Sequence, residues 1–349
     1  MATITILGAG YMGTALAVIA ADEGHRVRLW GTWLDDDLVQ PVLRGEEHPR
    51  LKMKLSDGVE AFLHPELSTA LQGAEAVVCA VNSDGVVPVF EKAAPHLPDG
   101  GPLMSITKGF LPDGDGKIRR ISEVVKASIL APAGKDRPWV AIGGPCKAME
   151  VARRVPTAVL YASDEDAAAR DACAQWLECD YYTITRTDDL AGLETCSAFK
   201  NAYATASGLC DGLQLRGHPE MYNAKAMLFS QAINEIAAVV QAMGGERAMA
   251  HGLAGVGDLH VTAAAGRNRA YGERVGLGEA PDQVAARMLE AGELTEGYPA
   301  LKTGWELLQQ LVAEGKLALA DFPLLAALHS IVYQGADVAE TLAGLRVRG

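Results

Sequence analysis

The residues best able to do chemistry fall in four short clusters. Gly8-Ala9-Gly10-Tyr11-Met12-Gly13 fits G-x-G-x-x-G. It follows Thr3–Leu7, a β-branched and aliphatic run that reads as a buried strand, and opens residues 11–23, which read as a helix closed by Gly24. In that setting one glycine makes the tight turn, the next admits a pyrophosphate to the backbone, and the third lets helix and strand pack closely. The helix N-terminus adds unpaired N–H groups and partial positive charge, so the ligand expected is a dinucleotide. An acid ending the second strand would read a ribose 2′-hydroxyl, but Arg26–Trp30 runs into Gly31-Thr32 with no acid before Asp35. No arginine lies just beyond that strand for a 2′-phosphate, so NAD and NADP both stay open.

The second cluster is Ser105-Ile106-Thr107-Lys108-Gly109, with Ile142-Gly143-Gly144-Pro145-Cys146; each follows a predicted strand. Open α/β sheets bind ligands beyond the carboxyl ends of their strands, so Lys108 is either a ligand-reaching cation or a solvated loop lysine. The third is a helix in which Leu193, Ser197, Lys200, Ala204 and Ser207 share one face, with Leu190, Phe199, Ala202 and Tyr203 adding apolar bulk. Lys200 is expected to be poor in water, with a lowered pKa, and able to pass a proton near neutral pH. The alternative is a lysine snorkelling to the rim. Asn201 could satisfy polar neighbours or a substrate oxygen.

The fourth cluster joins Gly255-Val256-Gly257-Asp258-Leu259 to residues 262–269, Thr-Ala-Ala-Ala-Gly-Arg-Asn-Arg. Arginine offers a bidentate fork and asparagine an amide donor, a local anion grip. Arg267 and Arg269 could equally be surface residues on different helix faces.

These clusters need a scaffold, and 349 residues suggest two domains. Further strands are expected at 76–81, 103–107, 140–142 and 157–161, alternating with helices, which calls for a parallel sheet covered on both faces. Past Asp188 the texture turns to long Ala/Leu/Met helices at 190–207, 224–243, 283–290 and 301–314, with no strand run. The expected layout is an α/β domain over 1–188 and a helical substrate and catalytic domain over 189–349. A net charge of −13 argues against nucleic acid or an anionic membrane as partner. The six cysteines are scattered, with no C-x-x-C pair and no zinc spacing, so no metal is expected, and reduced thiols in a cytosol are the plainer reading. Residues 1–21 carry no charge but lack a basic start and are broken by three glycines; neither a signal peptide nor a membrane span is expected.

Taken in order, residues 8–17 (Gly-Ala-Gly-Tyr-Met-Gly-Thr-Ala-Leu-Ala), Thr107-Lys108-Gly109, Gly143-Gly144-Pro145, Phe199-Lys200-Asn201, Gly257-Asp258-Leu259, Gly266-Arg267-Asn268-Arg269 and Thr295-Glu296-Gly297-Tyr298 resemble the NAD(P)-dependent sn-glycerol-3-phosphate dehydrogenase family along nearly the whole chain. The resemblance implies a Rossmann-type, mostly parallel α/β domain followed by an all-α domain. It implies a cytoplasmic, dimeric enzyme interconverting dihydroxyacetone phosphate and sn-glycerol 3-phosphate with NAD or NADP. By motif, Lys200 resembles the proton donor and acceptor, and Lys108 its cationic partner toward substrate and cofactor. Asp258 and Asn201 resemble the residues holding the reacting oxygen and its lysine. Arg267 and Asn268 resemble the phosphate grip, with Arg267 also near the cofactor. The resemblance sets Gly8, Gly10, Tyr11, Met12, Gly13, Ala148, Leu294 and Glu296 beside the cofactor, and Gly144, Cys146 and Thr262 beside the substrate. The chain departs from the family pattern at Tyr11-Met12, Val81-Asn82-Ser83 and Cys146-Lys147. Two other readings remain: a related reductase for another short polyol phosphate or a 3-hydroxy acid, and a dinucleotide-holding redox sensor without turnover. Adjacent Lys200 and Asn201 disfavour the 3-hydroxy-acid enzymes, whose lysine and asparagine stand several residues apart.

Overall fold

The computed structural model describes residues 1–347, which divide into two compact units: Met1–Lys108 with Arg120–Leu190, and Gly109–Arg119 with Ala191 onward. In chain order the strands are β1 (Thr3–Leu7), β2 (Arg26–Trp30), β3 (Val59–Phe62), β4 (Ala76–Cys79), β5 (Leu103–Ser105), β6 (Phe110–Pro112), β7 (Ile118–Arg120), β8 (Trp139–Gly143), β9 (Thr157–Ala162) and β10 (Tyr182–Thr187).

Eight of them form the sheet of the first unit, in the order β10-β9-β8-β5-β4-β1-β2-β3. Every pairing is parallel except β8 with β9. The six strands from β3 to β8 carry the doubly wound order, whose chain reversal between β1 and β4 leaves a crevice at their carboxyl ends. The central strands are apolar on both faces, as a sheet covered by helices requires: β4 and β8 are buried at every residue. Helix α1 (Tyr11–Asp22) is buried from Gly13 to Ala20 and ends as expected, the Gly24 and His25 N–H groups returning to the Ala21 and Ala20 carbonyls. Strands β3 and β10 were not expected. They are the two edges; β10 alternates buried and exposed residues over its first four positions, a weaker signal than a continuous apolar run.

The second unit is built on helices, among them α2 (Leu190–Leu215), α3 (Tyr222–Ala242), α4 (Asp258–Ala264), α5 (Arg267–Gly276), α6 (Gly297–Ala313) and α7 (Pro323–Gln334). Helix α2 runs eight residues past its expected end at 207. It crosses α5 at backbone contact: a Cβ added at Gly208 would lie 2.0 Å from the Arg269 carbonyl oxygen, and one at Gly272 2.2 Å from that of Thr205. This unit also takes in the β6–β7 hairpin, which precedes the stretch where the helical texture begins. Its turn is set by Asp113, whose carboxylate accepts from the N–H groups of Asp115 and Lys117 and from Arg119. The hairpin puts Phe110 edge-on to Phe199, ring centres 5.4 Å apart, bracing the residue before Lys200.

Candidate active site

Each unit carries one part of the predicted constellation. In the first, Gly8 stands at φ 114°, where a Cβ would meet the Ala80 carbonyl at 2.9 Å, and a Cβ at Gly13 would sit 2.0 Å from the Gly8 oxygen. The protein's own backbone therefore demands both glycines. Gly10 differs: a Cβ there would only touch an Arg50 nitrogen at 3.6 Å, so internal packing does not demand a glycine at this position. The start of α1 has no side-chain cap, and the Tyr11, Met12 and Gly13 N–H groups form the donor set that a pyrophosphate fits. The Tyr11 ring is partly exposed, with the Arg50 guanidinium 5.6 Å from its centre.

Asp35 plays a part that sequence reading missed. Its carboxylate turns inward to accept from the Thr32 N–H (3.0 Å), the Thr32 hydroxyl (2.8 Å) and the Ala9 N–H (3.4 Å). It ties the end of β2 to the glycine loop. A second tie is His48, fully buried, whose Nε2 lies 3.0 Å from the Ala9 carbonyl and 3.3 Å from the Thr14 hydroxyl. Further round the unit, Lys108 Nζ donates to the Gly144 carbonyl at 3.5 Å, which joins the Thr-Lys-Gly and Gly-Gly-Pro motifs. Gly144 is buried and at φ 117°; Cys146 is half-buried; Ala148 starts the short helix Ala148–Ala152, packed on α1.

In the second unit Lys200 is buried, 7% exposed, and donates to Asp258 Oδ1 at 2.7 Å and Thr262 Oγ1 at 2.8 Å. Asp258 has no exposed surface at all. The Thr262 hydroxyl gives its own hydrogen to the Asp258 carbonyl (2.7 Å), so its lone pairs face the lysine. The expected snorkelling alternative is overturned, because the ammonium is held inside. Burial favours a neutral amine and the adjacent carboxylate favours an ammonium.

One turn along α2, the Tyr203 hydroxyl donates to Glu235 at 2.7 Å. Glu235 also accepts from Gln231 and from the Leu324 and Leu325 N–H groups at the start of α7. Burial pushes the Glu235 carboxyl up from its usual range against the pull of those donors. This anchor of the lysine helix was not foreseen; a lone glutamate among apolar residues of α3 was its only sequence trace.

Asn201 gives its amide N–H to Glu296 at 2.9 Å and accepts from Asn268 at 2.9 Å. Asn268 accepts in turn from the Thr295 hydroxyl (3.2 Å) and the Gly297 N–H (2.8 Å). Leu294 is half-buried just before this segment. The two arginines are told apart: Arg267 is exposed at the first position of α5, whereas Arg269 is paired with Asp211 at 2.7 Å and Glu273 at 3.3 Å. His251 and His260 are exposed, and no group of three potential metal ligands occurs among the described residues.

Residues 3–169 match the N-terminal family of NAD-dependent glycerol-3-phosphate dehydrogenase, and residues 189–343 the C-terminal family of the same enzyme. The chain is 37% identical over 340 residues to an NADP(+)-dependent glycerol-3-phosphate dehydrogenase of Archaeoglobus fulgidus, covering 97% of both chains. It is 33% identical to a glycerol-3-phosphate dehydrogenase [NAD(P)+] of Geobacillus thermodenitrificans, covering all of this chain and 96% of the other. The crystal structure of glycerol-3-phosphate dehydrogenase from Coxiella burnetii superposes with a TM-score of 0.84, at 29% identity and 98% coverage of each chain. With the glycine loop, the buried lysine and the arginine-led helix in family order, the chain belongs to the NAD-dependent glycerol-3-phosphate dehydrogenase family.

Proposed function

We propose that this protein interconverts sn-glycerol 3-phosphate and dihydroxyacetone phosphate using NAD or NADP, with Lys200 moving the proton. The carrying observation is Lys200 itself: a buried ammonium clamped by Asp258 and Thr262, in a chain of this family. When bound, the nicotinamide supplies the hydride for reduction or accepts it in oxidation. The glycine loop and the first N–H groups of α1 hold the pyrophosphate, with Tyr11, Met12, Ala148, Leu294 and Glu296 assigned to the rest of the cofactor.

In reduction, Lys200 gives its proton to the oxygen of the C2 carbonyl as that atom gains negative charge; in oxidation it takes the proton from the C2 hydroxyl. Asp258 balances the ammonium, and Thr262 fixes its direction by offering lone pairs at 2.8 Å. Electrostatic stabilisation by a preoriented cation is worth most where water is scarce, as around a side chain this deeply buried. Lys108 is assigned a second ammonium, with Gly144 and Cys146 beside it toward the substrate. Arg267 and the N-terminal dipole of α5 bind the phosphate, and that remote binding energy positions the carbonyl. A cytoplasmic homodimer completes the proposal, and sedimentation equilibrium checks the stoichiometry.

Following the absorbance of NADH and NADPH with dihydroxyacetone phosphate tests the reading. Oxidation of either cofactor supports it. Silence with both, alongside turnover of a 3-hydroxy acid or another polyol phosphate, would replace it with the related-reductase reading; binding without turnover would leave the sensor.

A further inference from the structure

We infer that Asn268 is a positioning residue, acting through Asn201 to set the carboxylate of Glu296, by a hydrogen-bond relay whose polarity is dictated by one backbone N–H. The inference rests on the assignment of Glu296 to the cofactor made above. It begins at Gly297, whose amide can only donate and does so to Asn268 Oδ1 at 2.8 Å. The Thr295 hydroxyl converges on the same oxygen at 3.2 Å. The Asn268 amide therefore cannot be flipped, and its nitrogen must face Asn201, which lies 2.9 Å away. Asn201 must then present its oxygen to Asn268 and its nitrogen to Glu296, as the 2.9 Å contact records. Each amide is turned by the one before it.

The geometry around the relay is tight. A Cβ at Gly297 would lie 2.8 Å from the Asn201 carbonyl oxygen, 2.8 Å from the Thr205 methyl and 3.2 Å from Asn268 Oδ1. The 295–297 segment is thus seated directly on α2 and on the start of α5. Asn268 is itself buried, and both ends of its amide meet protein partners. Its side chain spends its directionality on Asn201.

A relay with a sense can be reversed, and reversal is the test. In Asn268→Asp the carboxylate still accepts from Thr295 and Gly297 but has no hydrogen for Asn201. Asn201 must turn to donate, which points its oxygen at the Glu296 carboxylate and drives that group away. Adding Glu296→Gln supplies a donor for the turned oxygen, so every contact is satisfied in the opposite sense. The expected result is a fall of about tenfold or more in kcat/KM for NAD(P)H in N268D, regained in N268D/E296Q to the level of E296Q alone. E296Q in the otherwise natural chain preserves the original sense and should show no such gain. Melting temperature should fall and recover in parallel. N201D, with and without E296Q, repeats the cycle while leaving Asn268 in place.

Recovery of kcat/KM in either double variant supports the relay, as does recovery of folded protein where the single variant fails to fold. Additive losses in both cycles overturn it, and so does an N268D defect confined to KM for dihydroxyacetone phosphate, which would put that side chain on the phosphate. A melting temperature that recovers while kcat/KM stays below that of E296Q alone would show that the relay exists without serving the cofactor. That outcome overturns the positioning role while leaving the dehydrogenase reading intact. Loss of all dehydrogenase activity in the unmodified protein would instead strike the dehydrogenase reading alone.

Discussion

The glycine loop of the first unit and the lysine cluster of the second are built from different materials. The loop is made by leaving atoms out: two of its glycines are required because backbone oxygens occupy the space at 2.0 and 2.9 Å, and the donors it presents are main-chain N–H groups. The lysine cluster is made by putting side chains in: a buried ammonium, a carboxylate with no exposed surface and a hydroxyl with a committed hydrogen. A site made of backbone is damaged by adding atoms, and one made of side chains by removing a partner. That difference orders the expected effects of mutation.

Removing Lys200 should do most harm. Lys200→Ala is expected to cut kcat by ~10²–10⁴, the range for a general acid. It also leaves Asp258 buried beside the hole, a loss of about 3–5 kcal/mol for a broken buried pair. Measuring kcat on the folded fraction separates the two. A variant that raised only KM would show that Lys200 merely binds. Asp258→Asn keeps the shape but takes the counter-charge from the buried Lys200 ammonium, so it too should lose stability by breaking the buried pair.

Within the loop, the same substitution should have two outcomes. Gly13→Ala forces a carbon onto the Gly8 oxygen, and the resulting shift between α1 and β1 should cost roughly 1–3 kcal/mol, read as a drop in denaturation midpoint. Gly10→Ala meets only the far end of Arg50, so stability should hold to within about 0.5 kcal/mol while KM for NAD(P)H rises. Equal destabilisation by both would mean that Gly10 serves internal packing after all.

The same contrast explains how much could be read from sequence. Omission leaves a trace in one local string, so G-x-G-x-x-G after a β-branched run gave the turn, the first helix and its cap. The central strands were legible because burial on both faces makes continuous apolar runs. Networks of side chains leave no local trace: Tyr203 and Glu235 are 32 residues apart, and Asn201 and Glu296 are 95 apart. Lys200 could be singled out as a cation in an apolar helix and Asp258 as an acid able to orient a cation, but only the family resemblance joined the two, and the Thr262 hydroxyl was not foreseen as a partner of the lysine. Asp35 was passed over because the strand-end position was empty, although Thr32, three residues before it, forms the local turn that brings the carboxylate back to the loop.

The smallest predicted effect concerns one of the two places where the glycine loop leans on a side chain. His48 Nδ1 accepts from the Leu51 N–H at 3.3 Å, so Nε2 carries the ring hydrogen and donates to the Ala9 carbonyl. Protonation would set a second hydrogen against the Leu51 N–H. Burial, aided by the charge of Arg50, holds the His48 pKa below its usual 6.5, against the opposing pull of the Ala9 carbonyl and Asp35. The unfolded chain therefore binds this proton more readily than the folded one. Stability linked to His48 is full above pH 6.5 and is lost as pH falls from there through the lowered folded value. Melting temperature measured downward from pH 7.5 should show an acid-side loss of roughly a few degrees from this group. His329, which burial also lowers, shares the window, so the informative quantity is the difference between the natural chain and His48→Gln. That variant should melt with a shallower slope below pH 6.5. Parallel curves for the two would remove His48 from the titrating set and leave the loop supported by Asp35 and its own backbone.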